Sequence, residues 1–303
     1  MGKKYGCLVE YNNKIRIKIT DKCNLACPFC HSEGTKETEE ISLNDKNFIN
    51  WIRLLRPYFD KIHLTGGEPT LYKKLPLLCK FLKMEGYDVF LTTNLLLLNE
   101  TFLKSLPYIS KINVSLHTLN PEYFKLYVKN KDSSSNYLDI IKKNILELKK
   151  ITPDISINTV ISNDCNQQID KLLYFCQKNN LPLKLVPDWR CLDDAKKFIV
   201  EFLEENGFKE KMRLIKMPGS NLRIFYSRDN YIVEFKNIKP YYLDFWCEGC
   251  KKRDVCIEKF SFLRLEGNPL RFKVCIDKPA LKSNEFEKDF WPNFKKILLK
   301  YKK

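Results

Sequence analysis

Between residues 14 and 187, short β-like runs alternate with helical ones, and that rhythm leaves few architectures open to the chain. IRIKIT (Ile15 to Thr20) switches between apolar and charged residues with the period of two that marks a strand. KIHLT (Lys61 to Thr65), YDVFLTT, ISKINVSL, ISINTVI and LPLKLV bring the expected strands to six. Helical patterns separate them. They are Asn44 to Pro57 with Ser42 as its cap, LPLLCKFLKMEG ending at Gly86, LNETFLKSL, Tyr137 to Lys150, and QQIDKLLYFCQKNN. The pattern over Tyr137 to Lys150 places apolar residues at 138, 141, 145 and 148. Strands that alternate with helices predict an α/β fold with a parallel sheet and right-handed crossovers.

After Pro187 the rhythm changes. Asp193 to Asn206 reads as a helix stopped by Gly207, and NLRIFYSRDNYIVEFKNI as a hairpin turning at Arg228 to Asn230. Phe286 to Lys303 reads as a closing helix whose Phe286, Phe290 and Trp291 dock on the rest of the molecule. Two units are expected, residues 1–190 and 191–303. With 303 residues and 44% hydrophobic content, the chain can bury a sizeable core without disulfides. No apolar run is long enough for a membrane span, and the first residues lack a secretory h-region. A soluble cytoplasmic protein with no membrane role is the expectation.

In such a compartment twelve cysteines point to metal binding or catalysis. Cys23, Cys27 and Cys30 cluster near the start, and Cys247, Cys250, Cys256 and Cys275 near the end. Cys7, Cys79, Cys165 and Cys176 read as small packed apolar residues, with Cys191 a secondary candidate for a thiol facing substrate. His117, at the end of the fourth strand, reads as an ordinary hydrogen-bonded histidine. The net charge of +16 would draw in phosphates, nucleic acid or acidic peptide, although a lysine-rich composition can also follow from genome base content.

The segment ITDKCNLACPFCHSEG sets Cys23, Cys27 and Cys30 as C-x3-C-x2-C directly after the first strand. Parallel α/β folds put their chemistry at that end of the sheet. Three thiolates suit a 4Fe–4S cluster with one iron left open, or a zinc ion completed by His31.

CNLACPFC resembles the signature of radical S-adenosylmethionine (SAM) enzymes, and LTGGEPTLYKKLPLL resembles their strand-two motif. The resemblance implies a SAM-binding 4Fe–4S cluster on the three cysteines. It also implies that Gly66, Gly67, Glu68 and Pro69 meet the amino group of SAM's methionine. IRIKITDKCN, HLTGGEPTLYKKLP, LTTNLLLL, INVSLHTLNPEYF, INTVISNDCN and LPLKLVP are similar, in order, to segments of the GTP 3′,8-cyclases that begin molybdenum-cofactor biosynthesis. That likeness implies a partial TIM-like (βα)6 barrel over 1–190, with Ser115 and Asn158, and less firmly Thr92 and Asn94, near SAM.

Cys247, Cys250, Cys256 and Cys275 follow C-x2-C-x5-C-x18-C, a spacing that fits a zinc ribbon or an auxiliary cluster. FLRLEGNPLRFKVC resembles the strand and turn before the last auxiliary-cluster ligand of the cyclases, so 191–303 is expected to carry a second 4Fe–4S cluster. Cys256 lies in a stretch the cyclases lack, KKRDVCIEKFS, and C-x2-C-x5-C is also similar to part of the auxiliary domain of peptide-modifying radical SAM enzymes. Arg16, Lys61 and Arg264 match nucleotide-binding positions of the cyclases, while His63 and Lys184 stand where arginines are expected. The substrate is therefore read as a nucleotide-like or other anionic small molecule, with a peptide as the alternative. A flavodoxin or ferredoxin would supply electrons. A zinc-binding nucleic-acid module is the remote alternative.

Overall fold

The structure, a computed structural model, describes residues 6–34, 38–129, 136–152, 154–162, 164–219, 221–238, 241–256 and 260–302. A strand that the sequence pattern did not reveal, β1 (Cys7–Tyr11), precedes the six expected ones. Those are β2 (Lys14–Lys18), β3 (Lys61–Thr65), β4 (Asp88–Thr93), β5 (Lys111–Ser115), β6 (Ile155–Ile161) and β7 (Leu183–Pro187). They lie side by side in chain order, and every neighbouring pair is parallel. Helices Lys46–Leu55, Leu75–Met84, Glu100–Ser105, Tyr137–Ile151 and Ile169–Lys178 fill the crossovers.

The helix Tyr137–Ile151 buries Leu138, Ile141, Ile145 and Leu148, the stripe its periodicity predicts. The first helix is capped by Asp45, whose carboxylate accepts from Asn47 N at 2.9 Å, and not by Ser42. Ser42 lies one turn upstream, where its hydroxyl accepts from Asn44 N.

The period-two alternation places Ile15, Ile17, Ile62, Leu64, Leu91, Val114, Ile157 and Leu185 in the core, each at most 0% exposed. The intervening positions, which are mostly polar or charged, face inward and line a cavity of about 420 Å³ inside the curl of the sheet. A charged residue within IRIKIT thus points into a chamber and not to bulk solvent.

Residues beyond 190 extend this sheet at both edges. β8 (Lys209–Met217), β9 (Asn221–Arg228) and β10 (Tyr231–Ile238) join through β10, which pairs with β7. β11 (Arg264–Glu266), β12 (Arg271–Lys273) and β13 (Leu281–Lys282) join through β11, which pairs with β2. The result is one thirteen-stranded sheet. The expected hairpin is β9–β10, and Asp229 and Asn230 take the left-handed conformations (φ 47° and 65°) of its turn.

The tail aromatics dock as expected. Phe286 stacks on Phe272 with ring centroids 3.8 Å apart, and Trp291 and Phe286 both pack edge-on against Trp51 of the first helix. A π-helical turn, Phe286–Phe290, leads into the helix Trp291–Tyr301. Among the described residues no helix is long and apolar enough to cross a membrane.

Candidate active site

The loop after β2 brings Cys23, Cys27 and Cys30 to the wall of the inner cavity. The loop is held from three other strand ends. Asn94, after β4, donates its side-chain amide to Asn24 Oδ1 at 2.8 Å. Beyond β5, Tyr127 O accepts from Ala26 N at 2.7 Å, and Lys129 Nζ donates to Cys23 O at 2.7 Å. Beyond β7, Trp189 Nε1 donates to Phe29 O at 2.7 Å. Phe29 packs edge-on against His117 and Tyr127, with centroids 4.8 and 5.6 Å away. His117 is hydrogen-bonded as expected, its Nδ1 accepting from Val160 N, and burial holds it down to about 4, so the ring is neutral.

Burial pushes the Cys27 thiol up to about 12, and the neighbouring Cys30 and Cys23 add to the rise. Three thiolates crowded this way require a cationic centre, which an iron–sulfur core supplies. The donor set therefore fits a cluster bound by three cysteines. His31, the fourth ligand of the zinc alternative, has its Nδ1 engaged by Glu33 N at 3.1 Å. Among the described residues no three His, Cys, Asp or Glu side chains converge as a single ion would require.

GGEP runs beside the cysteine loop. Gly67 N donates to Thr20 O and Glu68 N to Lys22 O, both at 2.7 Å. A Cβ on Gly66 would stand 2.5 Å from Thr20 O, and one on Gly67 2.2 Å from Lys22 O, so the two backbones touch where only glycine fits. Glu68 Oε1 accepts from Thr70 N, Thr70 Oγ1 and Thr93 Oγ1, and Oε2 from Asn94 N. The carboxylate thus ties β4 to the motif as well as lining the cavity. Pro69 is buried and opens the short turn Pro69–Leu71. Thr92, Ser115 and Asn158 all line the cavity, and the buried Asn158 Oδ1 has no hydrogen-bond partner among the described residues. Cys191 sits behind the β7 end, donating to Ser162 O.

Arg16 and Arg264 also reach the cavity, where they converge on a residue the sequence reading missed. Glu33 accepts from Arg16 at 2.9 Å and from Arg264 at 2.6 Å. Ser32, Glu33 and Gly34 follow one another in left-handed conformation (φ 49°, 55° and 79°), and a Cβ on Gly34 would collide with Ile276 beside Cys275. Such backbone strain at a non-glycine residue persists because the ion pairs over-determine it. The two arginines hold the Glu33 carboxyl well below the usual carboxylate range despite its burial. Replacing Glu33 by alanine would break its ion pairs with Arg16 and with the buried Arg264, at a cost of about 3–5 kcal/mol. The thermal unfolding midpoint of the cluster-loaded protein should fall by roughly 6 °C or more. An unchanged midpoint would show that the pair adds no stability.

Lys61 opens β3 on the same face as His63 and Thr65 but is not among the residues lining the cavity. His63 and Lys184 do line it. His63 Nε2 lies 2.7 Å from Thr92 Oγ1, and burial together with Lys14 and Arg16 keeps the ring neutral. Lys14, Arg223, Glu234, Lys236 and Phe262 line the cavity as well, from positions that sequence reasoning passed over.

The second cysteine group lies outside this lining. Cys247 ends the short helix Asp244–Cys247, Cys250 N donates to Cys247 O, and Cys256 N donates to Arg253 O. Cys275 Sγ accepts from Asp277 N at 3.3 Å. Lys252 pairs with Asp277 at 2.7 Å and Lys278 Nζ donates to Trp246 O at 2.6 Å, so the two cysteine-bearing segments are fastened to each other. Residues 257–259 of KKRDVCIEKFS lie outside the described residues.

A family profile described as the radical SAM superfamily matches residues 17–169. A probable GTP 3′,8-cyclase of Saccharolobus islandicus is 30% identical over 257 residues, covering 80% of each chain. The corresponding protein of Sulfolobus acidocaldarius is 28% identical over 253 residues, covering 80% of this chain and 78% of that one. Among solved structures, Streptococcus suis SuiB bound to its precursor peptide SuiA superposes with a TM-score of 0.57 at 17% identity. That match covers 93% of this chain and 64% of the longer SuiB, and at such identity it speaks for the fold.

Proposed function

The chain belongs to the radical SAM superfamily, whose members are enzymes of radical chemistry, and from that premise we propose that it acts on a nucleotide-like or other anionic small molecule, as a GTP 3′,8-cyclase does. The observation that carries this reading is one cavity lined by three cysteines, by Gly66, Gly67 and Glu68 of GGEP, and by a set of lysines and arginines. A 4Fe–4S cluster held there together with SAM would supply a 5′-deoxyadenosyl radical on one-electron reduction.

The chain's own residues then have separate tasks. Cys23, Cys27 and Cys30 hold the cluster. Gly66, Gly67, Glu68 and Pro69 shape the edge that receives the methionine amino group. Ser115 and Asn158, both on the cavity wall, hydrogen-bond the rest of SAM. Phe29 and Tyr127, packed edge to face, back the cysteine loop, and Trp189 fastens it through Phe29 O. Arg16 and Arg264, with Glu33 between them, face the substrate, and Lys61 would reach it only by reorienting. Cys247, Cys250 and Cys275 hold an auxiliary 4Fe–4S cluster. With Cys256 as a fourth ligand that cluster would be fully coordinated and restricted to electron transfer or structure. A flavodoxin or ferredoxin in the cytoplasm would deliver the electrons.

The test is 5′-deoxyadenosine formation by anaerobically reconstituted, dithionite-reduced protein. GTP should accelerate it. Cleavage indifferent to GTP would retire the nucleotide reading in favour of a peptide substrate, which the C-x2-C-x5-C spacing of Cys247, Cys250 and Cys256 favours.

A further inference from the structure

The two ends of the curled sheet approach each other at Phe262, the buried residue that leads into β11. Asn12, before β2, and Asn221, in β9, both donate to Ser261 O and hold this seam together. Three cations gather on the Phe262 ring. The Arg16 guanidinium stands 4.5 Å from its centroid, Lys14 Nζ 5.3 Å and Lys236 Nζ 5.8 Å.

The carboxylates nearby are already committed. Glu33 serves Arg16 and Arg264, and Glu234 stands 3.3 Å from Arg223 and 3.5 Å from Lys184. Lys111, which also lines the cavity, has Asp154 at 2.6 Å. His63, across from Arg16 on β3, is neutral. Lys14 and Lys236 have no carboxylate partner among the described residues, although both line the cavity.

We propose that Lys14 and Lys236, gathered over Phe262, form a subsite for one compact anionic group of the substrate, a phosphate or a carboxylate. The subsite rests on the cavity being the substrate chamber of a radical SAM enzyme. Its physical basis is charge relief. Burial and the crowding of Arg16, Arg223 and Lys184 press Lys236 down to about 7, and burial with the same neighbours presses Lys14 well below the ordinary lysine value. An anion placed between the two ammonium groups favours their protonated forms, so binding raises both values and takes up protons near neutral pH. The same coupling makes affinity fall as pH rises through the lysines' values in the complex.

Sulfate is a suitable probe, since it has the shape of phosphate and does not titrate in this range. Calorimetric titration of the cluster-loaded, SAM-saturated protein, in buffers of different ionisation enthalpy, should give binding coupled to proton uptake. Lys14→Met and Lys236→Met should each weaken sulfate by about tenfold or more, the scale of a lost charge-assisted hydrogen bond. Lys236→Arg should keep the affinity and reduce the uptake, which separates loss of charge from misfolding. Lys142→Met, on an exposed helix face beside Asp139, serves as the surface control and should change neither. Sulfate that binds both methionine variants as it binds the parent, or that fails to bind the parent, would overturn the subsite. The titration needs no turnover. Intact sulfate binding without SAM cleavage would therefore count against the enzymatic reading alone, and SAM cleavage without sulfate binding against the subsite alone.

Discussion

A variant with Cys23, Cys27 and Cys30 all changed to alanine should form no detectable 5′-deoxyadenosine while keeping its fold. The fold survives because the sulfurs support little of it. The loop is held through Asn24, Ala26, Phe29 and the carbonyl of Cys23, in hydrogen bonds to Asn94, Tyr127, Trp189 and Lys129 that use backbone or amide groups. Burial keeps the Cys27 thiol protonated, so its removal takes no charge out of the loop. Chemistry fares differently. Without the thiolates the ligands proposed for an open-iron cluster are gone, and among the described residues no other group lining the cavity can pass an electron to SAM. Iron per chain should fall from about eight to about four if the second cysteine group holds its own cluster. Far-ultraviolet circular dichroism should be unchanged. Residual SAM cleavage by this variant would remove the three cysteines from the mechanism. An unchanged iron content would place the metal elsewhere.

The parts of this molecule that could be read in the sequence are those whose cause is local. The helix Tyr137–Ile151 carries its own buried stripe, and the cysteine motif carries its own spacing. The six parallel strands were visible because their apolar faces alternate strictly. The same alternation concealed half the chamber, because a lysine on a strand reads equally as a solvent-facing residue or as one turned into a curled sheet. Lys14, in β2, and Lys236, in β10, meet only when the far strands close over Phe262, an event that no local pattern encodes. Glu33 is the sharpest case. Its partner Arg264 lies 231 residues away, so a glutamate in a polar loop gave no sign of being a buried counter-ion. β1 and the edge strand β13 were missed for a related reason. They are five and two residues long and owe their form to the edges they pair with, not to intrinsic propensity.

Gly67→Ala is the smallest change expected to have a large effect. The added methyl would sit 2.2 Å from Lys22 O and 2.7 Å from Asp21 O, both of them backbone atoms and neither at the end of a flexible side chain. Those atoms have little freedom, since Gly67 N and Glu68 N are hydrogen-bonded to Thr20 O and Lys22 O across the same contact. Relief requires the GGEP backbone and the Thr20–Lys22 segment to separate by about 1 Å, and a displacement of that size costs on the order of 100-fold in a positioned site. Lys22 immediately precedes Cys23, so the shift falls between the cluster loop and the edge expected to receive SAM. SAM should therefore bind about 100-fold more weakly, while the thiols still assemble the cluster. The measurements are a SAM dissociation constant by equilibrium dialysis and the change that SAM makes in the electron paramagnetic resonance spectrum of the reduced cluster. Gly6→Ala, with nothing within 4 Å of its added carbon, is the control that should leave both unchanged. If Gly67→Ala bound SAM as the parent does and perturbed the cluster signal equally, the close contact between the two backbones would be a feature of packing alone, and SAM would have to lie against a different strand end.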